Sequence, residues 1–449
     1  MTFEPTGAFH EVALDDLFFS TTDSKGVIEQ ANQVFVEMAR LERKDLIGAP
    51  HNLIRHPDMP GGVFRLMWET IGARRAFSGY VFNLAGDGSS YWALATVSPL
   101  GKGYISVRAR PIDLGIRDTV HTVYEAAREA EVQAMAQGES AGRAARIGEE
   151  VILAELEKLG YPSYEAFQNA FLPRELELRF QAGVTIPTRP SATGGARALL
   201  DAGAAIEGQV RTLADALANA DHLAEALDAR VAKAVHSLGR LEEAVANARF
   251  VVTGNAKVEP HVAKAAPALE DQCHKVAATM QGVLDAVDQT CVQRHGLRAS
   301  VSIAQLQAES VCRFAADTID GREDLETSSA ATQTLVQALE NGIDSMHTSL
   351  DDDRDQARHM AAQIKATEST LKVTTLLLRK WRSLIEKSDI RHEMEALLPV
   401  LDDALAGLVD ELAGLHDTAE AFAGGVVAFE SAELQRSLDT ILSLNTVAA

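Results

Sequence analysis

Three side chains capable of polar chemistry crowd into four positions: Arg55, His56 and Asp58, within the stretch Pro50–Pro60 (PHNLIRHPDMP). A guanidinium, an imidazole and a carboxylate so close together suit two uses. They can hold a ligand through charge-assisted hydrogen bonds. They can also hold one another, Arg55 and Asp58 as an ion pair at a helix start and His56 as an ordinary satisfied polar residue. The aromatic residues gather in the same part of the chain, with 13 of the 24 Phe, Trp and Tyr in residues 1–113. Taken singly, Trp68 and Trp92 read as core residues rather than ligand contacts. An imidazole at His51 or His56 also suits haem, which needs one well-placed axial nitrogen.

Elsewhere the reactive residue types do not converge. The nine histidines from His222 to His416 pair with no carboxylate at metal-ligand spacing. There is no glycine-rich phosphate loop, and no phosphotransfer or nucleotide-cyclase motif. The expectation is a protein that is not an enzyme. Cys273, Cys291 and Cys312 are odd in number and far apart. They suggest neither a disulfide framework nor a zinc site, and a reducing, cytoplasmic setting.

The elements around Pro50–Pro60 follow from pattern. Leu17–Asp23 and Val27–Asn32 read as a hairpin about a Ser24-Lys25-Gly26 turn. Val34, Met38 and Leu41 have helical spacing, and residues 45–48 make a short helical turn. Val63, Leu66, Met67 and Ile71 predict a helix over 58–73, with Asp58 as its N-cap and Pro60 in its first turn. Three strands follow, Ser78–Leu84, Tyr91–Leu100 and Gly103–Arg110, separated by Gly-Asp-Gly and Gly-Lys-Gly turns. The order predicts one antiparallel sheet cupped by helices, with an internal pocket.

That order resembles a PAS domain. The Pro50–Pro60 block resembles the signature of the flavin-binding PAS domain of bacterial aerotaxis receptors. Outlying pieces match in the same order: Thr22-Asp23, Gly26-Val27-Ile28, Asn32 and Phe35; Phe64 and Met67-Trp68; Ser78-Gly79, Val81 and Asn83; and Tyr91-Trp92. The match covers about a quarter of the chain. It departs at Phe77, where the family usually has Trp. The resemblance implies non-covalent FAD and sensing of redox or oxygen state. It carries over Arg55, His56 and Asp58 as motif residues tied to flavin binding, and Asn32, Trp68, Asn83 and Trp92 as the surrounding pocket and scaffold. The chemistry agrees: a flavin ring needs flat apolar walls and a few polar groups aimed at its heteroatoms.

The remainder is different in kind. The first 113 residues hold 11 Lys and Arg against 13 Asp and Glu, and the other 336 hold 31 against 51. So acidic a body argues against nucleic-acid binding and against docking on anionic lipid. No run approaches the roughly 18 apolar residues of a membrane span, and the N-terminus does not read as a signal peptide. Residues 114–186 read as a helical connector or small bundle, with breaks near Gly138, Gly160 and Pro173. Residues 187–195 are a Pro/Gly/Ser/Thr linker, and 196–449 a long helical, partly coiled-coil output region.

Within it, Val210, Leu217, Ala224, Val231, Leu238, Val245 and Val252 interleave with Leu199, Ile206, Leu213, Ala220, Leu227, Ala234, Leu241 and Ala248 as the two seam positions of a coiled coil. A second seam runs from Val336 to Ile385 and contains the polar Asp353, Thr367 and Thr374. Long stripes of this kind predict a homo-oligomer through the helical region, most simply a dimer, or a fold-back of one seam on the other. The glutamate-rich hairpin tip of chemoreceptors is absent; Glu242-Glu243 only loosely resembles a methylation site.

The expected protein is therefore an α+β PAS domain followed by an all-α region. It would be a cytoplasmic, energy-taxis-like sensor that passes a signal from a PAS-bound flavin to its helices. The alternatives are a cofactor-free PAS scaffold and a haem-binding gas sensor.

Overall fold

The computed structural model describes residues 3–219, 221–255, 258–323, 325–424, 434 and 436–441. Strand β1 (Leu17–Asp23) turns at Gly26, whose φ of +80° favours glycine, into β2 (Ile28–Ala31). The Asp23 carboxylate closes the turn by accepting from the Lys25 and Val27 amides at 2.8 and 2.9 Å. Asn32 then caps α1 (Gln33–Ala39). A short α2 (Arg43–Leu46) and a 3-10 turn (His51–Ile54) lead to α3 (Gly61–Gly72). Strands β3 (Phe77–Leu84), β4 (Ser90–Pro99) and β5 (Gly103–Ala109) complete a five-stranded antiparallel sheet in the order β2-β1-β5-β4-β3.

Every strand of this sheet lies close to its expected span. The helix expected over 58–73 is shorter than its apolar pattern suggested. It begins at Gly61, its N-cap position is Pro60, and no local side chain caps it. Asp58 is not the cap.

Registers place Ser20 opposite Ser106, Thr22 opposite Tyr104, Ala95 opposite Arg108, and Val97 opposite Ser106. Side chains alternate along a strand, so these positions share the concave face, and their neighbours in sequence take the other. That outer face is covered by the chain's own helices. Helix α4 (Leu114–Ala136) lays His121 edge-on to Trp92. Helix α5 (Ala141–Lys158) packs on α3 and α4. Helix α6 (Tyr164–Gln181) brings Glu175 to the Tyr80 hydroxyl at 2.7 Å and Gln168 to the Ser78 amide at 2.6 Å. Pro173 lies inside α6 and does not break it.

Residues 187–194 carry no helix or strand. Then come α7 (Gly195–Asn219), α8 (Asp221–Gly254), α9 (Pro260–Ile319), α10 (Leu325–Ile385), the single turn α11 (Arg391–Met394) and α12 (Leu397–Gly424). Of the first seam, Ala220 lies outside the described residues.

The chain forms two compact units. Among the described residues, the first draws on 3–214, 295–348, 434 and 436–441, and the second on 215–294 and 349–424. In the first unit the sheet's outer face also receives α9, where Phe314 meets Phe19 edge-on with centroids 5.4 Å apart. Gln307 donates to Ser98 at 3.3 Å, and Arg179 and Glu309 form a buried ion pair at 3.0 Å.

The second unit is an all-helical core. Leu227, Leu241 and Val252 of the first seam share it with Ile364, Leu371 and Ile385 of the second. In this unit α8, which carries the later part of the first seam, packs chiefly against α12, and both stripes are buried within one core of the chain itself. Asp353, the charged residue of the second seam, is fully buried and pairs with Arg294 at 2.8 Å. The Arg294 guanidinium lies 4.1 Å over the Phe422 ring.

Candidate ligand cavity

Between the concave face of the sheet and α3 lies a cavity of about 310 Å³. Its walls are mostly apolar: Ile54, Phe64, Met67, Ile71, Ala95 and Val97. Helix α3 supplies one wall because its apolar residues recur every three or four positions. Strands β3, β4 and β5 supply the other through every second residue.

Polar groups enter from three sides. From the segment before α3 come His51, Asn52 and Arg55. Arg55 donates to the Met59 carbonyl at 2.6 Å and stands 4.4 Å over the Phe64 ring. Burial lowers its pKa, and the charge of nearby Glu131 acts against that shift. From β3 comes Asn83, which is buried and whose Nδ2 has no hydrogen-bond partner. From β5 come Tyr104, Ser106 and Arg108. The Ser106 hydroxyl is also buried and unpartnered.

Arg108 is buried, and among the described residues no carboxylate pairs with it. Its guanidinium donates to Ser20 at 3.2 and 3.3 Å and to His51 Nε2. Arginine has no acceptor, so His51 Nε2 must accept and its proton must sit on Nδ1. Burial first, and the Arg108 charge second, pull the His51 pKa down to about 3. Burial likewise lowers Arg108 to about 10, so it stays charged at neutral pH.

The seven residues expected to form the site divide. Arg55, Trp68 and Asn83 line the cavity. Trp68 is 40% exposed at its rim, edge-on to Tyr104 and against the Gly26 turn. Asn32 does not line it. Its Oδ1 accepts from Phe19 and Phe35 amides and its Nδ2 donates to the Leu17 carbonyl, so it locks β1 to α1. His56 is buried beside the Phe82 ring, and its pKa is lowered by burial. Asp58 is exposed and lies 3.5 Å from His56, not against Arg55. Trp92 stacks on Phe82 on the outer face.

Sequence reasoning did not single out Lys25, Tyr104, Ser106 and Arg108. The signal for the last three was present: polar residues at alternate positions of β5 that share one face. Among the described residues no cluster of His, Cys, Asp and Glu could hold a metal ion. No helix of the described residues is long and apolar enough to cross a membrane.

A five-stranded antiparallel sheet in this order, with helices closing a cavity over one face, makes the N-terminal region a PAS domain. No family model matches the chain. Over 120 residues, 26% of its length, it is 39% identical to the aerotaxis receptor of Escherichia coli strain K12. That alignment spans only 24% of the receptor. Among solved structures it is similar to the PAS domain of a protein from Colwellia psychrerythraea, at 20% identity over 21% of this chain and 85% of that one, with a TM-score of 0.19.

Proposed function

We propose that this chain is a sensory signal-transduction protein, not an enzyme, whose PAS cavity holds a flavin and answers to redox or oxygen state. The observation that carries the reading is the cavity itself, apolar on its walls and furnished with buried polar atoms that lack partners. Buried polar groups are nearly always satisfied, so the free Asn83 amide nitrogen and Ser106 hydroxyl fit a ligand rich in acceptors. An isoalloxazine has that character. About 310 Å³ is at the small end of the roughly 300–1,000 Å³ of ligand pockets. It suits the ring system, and Lys25 and Arg55 of the lining would supply cations for the phosphates of an FAD molecule. The 39% identity to an aerotaxis receptor over 120 residues supports the sensory reading, and the flavin rests on the resemblance of the Pro50–Pro60 block.

In this reading Arg55, Asn83, Ser106 and Arg108 orient the ring, and Phe64, Met67 and Trp68 flank it and exclude water. The flavin supplies reversible electron uptake. The residues around it sense the change through their different contacts with each redox form. Haem fits less well, since His56 is off the cavity and His51 Nε2 is taken by Arg108. The signal leaves through the helices on the outer face of the sheet and on α3. The downstream partner would be a protein that reads the helical region, alone or as a homo-oligomer.

The visible spectrum of the gently purified full chain tests the proposal. Flavin bands that bleach on reduction and return in air are expected. A Soret band would replace flavin with haem, and a colourless protein that takes up no added FAD would favour a cofactor-free scaffold.

A further inference from the structure

Helix α3 has an unusual start. The first amides of a helix have no intrahelical partners, and α3 has no capping side chain of its own. Its cap comes from elsewhere in the chain. Glu131 of α4 accepts from the Gly61 amide through Oε2 and from the Gly62 amide through Oε1, both at 2.8 Å. It is 2% exposed. A carboxylate bonded to two free amides at the positive end of a helix dipole is a strong, directional contact.

The same junction is tight in its backbone. A Cβ at Gly62 would collide with the main chain of Gly148 and Glu149 in α5, and a Cβ at Gly148 would collide with the Glu131 carboxylate. Arg65 of α3 also pairs with Glu149 at 2.5 Å. Main chain rests on main chain here, so no flexible side chain can absorb a shift. Such contacts move together or break.

Glu131 also reaches the cavity electrostatically. The charges acting on Arg55, a cavity-lining group, are those of Glu131 and of Arg128, which itself lies 3.4 Å from Glu131. One carboxylate therefore holds the start of the helix that supplies Phe64, Met67, Trp68 and Ile71 to the wall, and its charge acts on Arg55, a cation of the pocket.

We infer that Glu131 is a positioning residue that couples occupancy of the cavity to α4 and α5. The inference rests on the reading that the cavity binds flavin. A ligand that presses on α3 or engages Arg55 changes what Glu131 must satisfy, and α4 responds. By linkage, loosening the Glu131 contact alters ligand affinity by the same factor that the ligand alters the α4 contact.

The test is amide hydrogen exchange on the full chain with and without added FAD, in wild type and Glu131→Gln. The glutamine keeps the shape but offers one acceptor where two amides need one each. In wild type, FAD slows exchange in α3 and in the second half of α4. In Glu131→Gln, FAD still slows α3, the α4 response is lost, and FAD binds more weakly by a factor in the usual coupling range of about 5 to 150. If Glu131→Gln loses helical circular dichroism, Glu131→Asp, which keeps the charge but is too short to reach both amides, takes its place with the same expected losses. An α4 response that is absent in wild type, or unchanged in the variant, overturns the coupling while leaving flavin binding intact. A chain that takes up no FAD overturns the proposed function and this inference together.

Discussion

Acid should weaken the first unit through one imidazole. His51 accepts from Arg108 and stays neutral because a proton on Nε2 would set two cations against each other in a buried place. Its pKa falls to about 3 in the folded chain, against 6.5 for a free imidazole. A histidine whose folded pKa is lowered leaves the unfolded state to bind the proton first. Stability is therefore whole above the unfolded value and drains as pH falls from about 6.5 toward about 3. At pH 5 the unfolded imidazole is already about 1.5 pH units past its midpoint and the folded one is not titrating. The loss is about 2 kcal/mol relative to neutral pH, at 1.36 kcal/mol per unit.

Urea unfolding at pH 7 and pH 5 measures this. A Trp381→Phe background leaves fluorescence to Trp68 and Trp92, both in the first unit. With an m-value of about 2 kcal/mol per molar urea, the midpoint should drop by about 1 M from this cause. Other groups titrate as well, so the decisive quantity is the difference from His51→Gln, which can still accept from Arg108 and binds no proton. The variant should lose about 2 kcal/mol less than wild type between the two pH values. An equal loss in both would refute the His51–Arg108 assignment.

Other outcomes follow from the same contacts. Arg55→Ala, which removes a cavity-lining cation, should weaken FAD binding by roughly ten- to a hundredfold in a spectral titration, since a charged hydrogen bond is worth about 1.5–3 kcal/mol; Trp92→Phe, on the opposite face, should leave affinity within about twofold. Gly62→Ala should destabilise the first unit by about 1–3 kcal/mol or more in urea, because the new methyl meets main chain, while Gly72→Ala, with open space around it, should be close to neutral. In the second unit Arg294→Met alone should cost about 3–5 kcal/mol by stranding the Asp353 carboxylate, and Arg294→Met with Asp353→Leu should recover most of that, both read from Trp381 fluorescence.

Local pattern determined a large part of this molecule. Alternation and turn residues sufficed for all five strands, because strand faces and glycine turns are properties of neighbouring residues. Heptad spacing sufficed for the buried seams, whose expected positions from Val336 to Ile385 are buried. The Pro50–Pro60 block located the cavity, and Arg55, Trp68 and Asn83 line it.

Tertiary structure decided what depends on residues far apart in the chain. Which side Asn32, His56 and Trp92 face was not legible, since that follows from the pleat and from helices packed behind it. Arg108 meets His51 across 57 positions, and Glu131 caps α3 from about 70 positions away. The stripe that reads as a dimer seam is covered within its own chain, because an apolar stripe specifies that it must be buried and not by what. Spacing encodes periodicity and local caps. Pairing between distant polar groups is set only when folding brings their elements together and removes the water that would otherwise satisfy them.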